Sequence, residues 1–172
     1  MASPLPDPPH LPHPHRFTVH DYHRMGEVGV LAPDARVELI EGEVIDMAPI
    51  GPRHAAVVNR LTEALAAAVR GAGRLSVQNP VRLDDLSEPQ PDFAVLRARA
   101  DDYETALPGP GDVLLAVEVA DSSLAHDRDR KLPLFARRGI PEAWLVDLKA
   151  SRLLRVREPG PDGYAVVEPV EP

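Results

Sequence analysis

Hydrophobic and polar positions alternate on both sides of Glu41-Gly42 in "RVELIEGEVIDM". Two period-2 runs around a two-residue turn predict a β-hairpin. Just upstream, Thr18 precedes "VHDYHRMGEVGV" and reads as the N-cap of a short helix. Downstream, "GPRHAAVVNRLTEALAAAVRGAG" carries Val58, Leu61, Leu65 and Ala68 at helical spacing, with Gly71 or Gly73 as its stop.

The chain then turns to strand-like runs. "RLSVQNPVRL" breaks at Asn79-Pro80, and "DFAVL" and "DVLLAVEVA" follow. The last is almost continuously apolar, as a central strand covered on both faces would be. "HDRDRKLPLFARRG" predicts a short helix that Pro133 must kink or delay. "EAWLVDL" is another buried strand, and "RLLRVREPGPDGYAVVEP" a closing hairpin over Pro-Gly-Pro-Asp-Gly. The sum is an α/β or α+β fold, a mixed sheet with helices packed on it.

Composition sharpens the outline at its N-terminal end. Residues 1–15 hold six prolines, and five of the seven histidines lie within the first 23 residues. That predicts an extended arm over 1–16 and one folded domain over 17–172. The arm is a polar tail or a metal-binding tract. It lacks the apolar stretch of a secretory signal. No apolar run reaches the ~20 residues of a membrane helix, so a cytoplasmic protein is expected. With no cysteine, thiolate zinc sites, disulfides and cysteine nucleophiles are excluded. A net charge of −8 argues against coating nucleic acid by bulk charge. Local contact with it inside a site remains open.

Candidate chemistry sits in two strands. Asp92 stands behind a proline at the head of "DFAVL", and Glu118 lies inside an apolar run. Alternation puts Asp92 on a face with Ala94 and Leu96, and Glu118 with Leu114, Ala116 and Ala120. Small neighbours leave room for an ion with its waters, or for a closely packed helix. A buried ionised carboxylate costs several kcal/mol unless paired or coordinated. Glu118 is therefore half of a salt bridge or a metal ligand, and Asp92 a strand start or a ligand. Asp127 and Lys131 are four apart and share a helix face. They form either an exposed ion pair or a group in which Lys131 reaches back to the Glu118 strand. Phosphate-cradling glycine loops, an H-E-x-x-H pair and a G-x-S-x-G elbow are all absent from the sequence.

"PD" at Pro91-Asp92 and "VEV" at Val117-Val119 resemble the PD-(D/E)xK nuclease superfamily. The longer stretches "VELIEGEVIDMAPIGPRHAAVVNRL", "QNPVRLDDLSEPQPDFAVL" and "AVEVADSSLAHDRDRKLPLFARRGIPEAWLVDL" resemble the Uma-type family of restriction endonuclease domains over about residues 17–158. The resemblance implies a restriction-endonuclease-like mixed sheet flanked by helices. It implies a Mg²⁺ (or Mn²⁺) ion held by Asp92, Glu118 and the backbone carbonyl of Val119, with Lys131 as the catalytic lysine. The superfamily lysine expected two residues after Glu118 is Ala120 here, so the role passes to Lys131 of the string Asp127-x-x-x-Lys131. Where the family often has tyrosine, this chain has Phe135. Glu38, Glu41 and Glu43 are alternatives for an assisting acid, and Gln78 and Asp127 are accessory candidates. The implied function is Mg²⁺-dependent endonucleolytic cleavage of DNA, with a homodimer as the expected assembly. The alternative is a catalytically silent nuclease fold that binds or assembles, and a third reading is a structural domain with ordinary ion pairs.

Overall fold

The computed structural model describes residues 13–170. Residues 1–12 of the expected arm lie outside the described residues. At the arm's inner end Arg16 donates to the Glu41 carbonyl at 3.0 Å and pairs with Glu43 at 2.5 Å.

Helix α1, Val19–Glu27, starts at Thr18 as predicted. The Thr18 hydroxyl accepts from the Asp21 N–H, and the Asp21 carboxylate accepts from the Thr18 N–H, a reciprocal capping box. Strands β1, Val37–Ile40, and β2, Glu43–Asp46, form the predicted hairpin. Its turn residues both take positive φ, 50° at Glu41 and 78° at Gly42. That is the backbone a two-residue hairpin turn demands. A Cβ on Gly42 would meet the Arg16 Cβ at 2.6 Å. Gly42→Ala should therefore cost about 1–2 kcal/mol for the left-handed backbone and about 1–3 kcal/mol for overpacking. Urea unfolding checks this; a loss of only about 1–2 kcal/mol, the backbone part alone, would mean that the Arg16 segment is not held against the turn.

Helix α2, Pro52–Ala68, turns Val58 and Leu65 inward. Beyond it lie β3, Arg74–Val77, β4, Phe93–Leu96, and β5, Val113–Ala120. Then come β6, Glu142–Asp147, β7, Arg152–Gly160, and β8, Gly163–Val170. These six form one sheet in chain order. Only β5 and β6 run parallel; the other neighbours are antiparallel. The parallel step needs a crossover. It is supplied by α3, Leu124–His126, a π-helical turn over Asp127–Lys131, and α4, Leu132–Arg137. Among the described residues no helix is long and apolar enough to cross a membrane.

Two apolar cores sandwich the sheet. Leu132, Leu134 and Phe135 of α4 pack on one face against Ala94, Ala116, Ala120 and Leu145. Val58 and Leu65 of α2 pack on the other against Phe93, Val117 and Val119. This is why β5 reads as almost unbroken hydrophobicity. The alanines beside the two carboxylates thus serve close helix packing rather than room for an ion. A register irregularity between Val95 and Leu96 also corrects the face expected for Leu114. Val113, not Leu114, joins Ala116 in the α4-side core.

Candidate active site

Strand pairing brings the two carboxylates together. Phe93 lies opposite Val117 in the antiparallel β4–β5 ladder. Asp92 immediately precedes β4, and its carboxylate accepts from the Val119 N–H, next to Glu118 on β5. Asp92 and Glu118 both line a cleft of about 340 Å³, with Glu38, Gln90, Val119, Asp127 and Lys131 among the other walls.

Lys131 reaches this cleft from the β5–β6 crossover. Pro133 has no N–H to donate, and a regular helix cannot pass through it undisturbed. The π-helical turn over Asp127–Lys131 precedes it, and both named residues are buried. Of the two readings of Asp127 and Lys131, the exposed ion pair fails, and Lys131 reaches back to the Glu118 strand. Lys131 Nζ lies 2.7 Å from Glu118 Oε1 and 3.1 Å from Glu38 Oε2. It also donates to the Gln90 carbonyl at 3.4 Å. The lysine and Glu118 side chains are only 3% and 4% exposed. The contact to Glu118 is off the line of a directed hydrogen bond, so that buried oxygen has an ionic partner only.

Of Glu38, Glu41 and Glu43, Glu38 is the one that lines the cleft beside Lys131. Its Oε2 accepts from the Gln90 N–H at 3.0 Å, and its Oε1 lies 3.3 Å from His126 Nε2. Glu41 and Glu43 turn outward to arginines, including Arg137 and Arg130. Asp127 accepts from the Ser123 hydroxyl at 2.5 Å. Asp92 is held by three donors: Val119 N–H at 2.8 Å, Gln78 Nε2 at 3.0 Å and His54 Nε2 at 3.2 Å.

Burial and charge divide these acids. Burial pushes Glu118 well above the usual carboxylate range; Lys131 opposes this, while Asp127, Asp92 and Glu38 reinforce it. Burial also raises Asp127, against Lys131 and Ser123. Burial would raise Glu38 too, but Lys131, His126 and Gln90 hold it down to about 2. Asp92 is lowered because the His54, Val119 and Gln78 hydrogen bonds outweigh its burial. Burial would lower Lys131, but Glu118, Glu38 and Asp127 keep it protonated. Three carboxylates, Glu118, Glu38 and Asp127, thus share one ammonium, and Glu118, which Asp92 also repels, carries the unrelieved repulsion. A cation is the chemical complement of that excess.

The donor set fits Mg²⁺. Among the described residues no three His, Asp or Glu side chains are already gathered as an ion cage. Mg²⁺ is normally held by one or two carboxylates together with waters and substrate phosphates, so a pair of carboxylate oxygens suffices.

The cleft joins the residues singled out in the sequence: Asp92, Glu118, Val119, Lys131, Glu38 and Asp127 all line it. Gln78 reaches it through Asp92. His54 and His126 were not singled out. Each comes from a helix distant in sequence from its carboxylate partner. The helical spacing of α2 shows its apolar face and gives no sign that His54 meets Asp92.

The family described as "Putative restriction endonuclease", Uma2, matches residues 19–172. A solved structure of similar fold is a "putative nuclease belonging to DUF820" from Anabaena variabilis ATCC 29413. It aligns with a TM-score of 0.72 at 16% identity, covering 91% of this chain and 85% of that one. At that identity the likeness speaks for the fold alone. No curated protein matches the chain. With nearly the whole chain inside the family match, and a mixed sheet that sets its PD and VEV strands side by side, this protein belongs to the Uma2 family of restriction-endonuclease-like domains.

Proposed function

We propose that this protein is a divalent-metal-dependent endonuclease that hydrolyses DNA phosphodiester bonds. One observation carries the reading: Asp92 and Glu118 line one cleft at the adjoining ends of β4 and β5, with the Lys131 ammonium 2.7 Å from Glu118 in it. Asp92, Glu118 and the Val119 carbonyl are the groups that would hold Mg²⁺ or Mn²⁺. When bound, the ion supplies Lewis acidity, a more acidic water and neutralisation of phosphate charge.

The chain's own residues supply the rest. Lys131, charged and fixed between Glu38 and Glu118, offers positive charge where negative charge grows on the phosphate. Glu38 pairs with the same ammonium at 3.1 Å, and the Gln90 carbonyl accepts from it. Asp127 adds to the field that keeps Lys131 protonated. Phe135 is fully buried in the α4-side core and supplies no hydroxyl. Cutting both strands of a duplex calls for two such clefts, which a symmetric pair of chains would provide. A DNA substrate agrees with the cytoplasmic setting expected from the sequence.

A second reading, a silent nuclease fold that binds without cutting, draws on the net charge of −8 and the lack of a preassembled three-ligand cage among the described residues. Incubation with supercoiled plasmid separates the two. The expected result is nicked and linear DNA with Mg²⁺ or Mn²⁺ and intact plasmid with chelator. DNA retained by the protein but uncut in every metal would favour the silent fold.

A further inference from the structure

Asp92 is held more tightly than a metal ligand on a strand end needs to be. An ionised carboxylate has about four acceptor positions. On Oδ2, two are taken by the Val119 N–H at 2.8 Å and His54 Nε2 at 3.2 Å. On Oδ1, one is taken by Gln78 Nε2 at 3.0 Å. A carboxylate oxygen only accepts, so the His54 nitrogen facing it carries the hydrogen. One lone pair is left, and it is on Oδ1.

Gln78 holds its place at a cost. Its φ is 52°, in the left-handed region that favours glycine. Glycine there would keep the 3.0 Å bond from the Gln78 N–H to the Asp92 carbonyl and shed the strain. What glycine could not keep is the amide on Asp92 Oδ1. Strained backbone of this kind concentrates at functional sites. His54 shows a similar imbalance. Its Nε2 meets Asp92, while its Nδ1 is buried with no partner. A buried ring with one orphaned nitrogen is a poor device for stability alone.

We infer that Gln78 and His54 are positioning residues that fix Asp92 as a one-oxygen ligand, presenting a single Oδ1 lone pair to the cation. This rests on the metal-site reading above and deepens it. One-oxygen binding suits Mg²⁺ and Mn²⁺, which keep several waters, better than Ca²⁺, which takes carboxylates in both modes. A donor that orients a ligand typically changes metal affinity by about 10- to 100-fold when removed.

The test is calorimetric titration of Mn²⁺ into wild type, Gln78→Gly and His54→Ala, with metal-free thermal melts of each. Gln78→Gly should melt at or above the wild-type temperature yet bind Mn²⁺ about 10- to 100-fold more weakly. His54→Ala should weaken binding by a similar factor, and the double variant by more. Wild-type affinity in both single variants overturns the positioning roles and leaves the Asp92–Glu118 site standing. Affinity and melting temperature falling together in both variants overturns them too, since that is what a structural role produces. No Mn²⁺ binding by the wild type overturns both this inference and the metal site beneath it.

Discussion

Asp92→Asn and Glu118→Gln are each expected to abolish measurable Mg²⁺ or Mn²⁺ binding and to slow DNA cleavage by about a thousandfold or more. The size follows from the several kcal/mol of charge stabilisation that a bound ion supplies to phosphoryl chemistry, at 1.36 kcal/mol per tenfold in rate. Both changes keep side-chain shape and remove one negative charge. In Asp92→Asn the amide oxygen can still accept from the Val119 N–H, so the β4–β5 end should stay in register. Glu118→Gln relieves the repulsion that Asp127, Asp92 and Glu38 impose at this position, and Lys131 keeps Glu38 as its ionic partner, so the fold should tolerate it. Calorimetry on wild type and both variants, followed by plasmid cleavage, is the measurement. A single wild-type site that both substitutions erase means the strands meet at a metal. If one variant binds as tightly as wild type, that carboxylate is no ligand; if it is Glu118→Gln, the Glu118–Lys131 ion pair is a structural one.

Much of the scaffold was legible because its signals are local. Thr18 and Asp21 cap α1 within four residues, and Glu41-Gly42 supplies the turn backbone of its own hairpin. The unbroken apolar run of β5 reported burial on both faces, and helices cover both. Failures came where a distant element decides. The register shift at Val95/Leu96 moved Val113 into the place expected for Leu114, which no period-2 pattern reveals. In β1 all four residues are buried. The period-2 sequence pattern does not report this burial, so Glu38 could not be told from Glu41 and Glu43. Pro133 was read correctly as a disturbance, but its local answer is a π-helical turn. His54 reaches Asp92 from α2 and His126 reaches Glu38 from α3, each across a long stretch of chain. Family resemblance, rather than spacing, carried the lysine role to Lys131, and the side chain does lie against Glu118.

Removing the Lys131 charge should separate stability, metal binding and cleavage from one another. Lys131→Met keeps the length and apolar stem of the side chain but leaves Glu38 and Glu118 buried without their shared ammonium. Breaking a buried ion pair from one side costs about 3–5 kcal/mol. At about 2–4 °C per kcal/mol for a chain of this size, the metal-free protein should melt roughly 6–20 °C lower. Mg²⁺ should then recover part of that loss, because a cation in the cleft answers the same two carboxylates. A ligand at 100 times its Kd returns about 2.7 kcal/mol. Metal affinity should hold or tighten, since a competing positive charge is gone. Cleavage should still fall by about 10²–10³, the scale on which removing one charge-stabilising donor acts. Thermal melts with and without Mg²⁺, calorimetry and plasmid cleavage on one variant read all of these. Affinity lost together with cleavage would mean that Lys131 only keeps the carboxylates in place. Affinity kept while cleavage falls would mean that its charge acts on the phosphate.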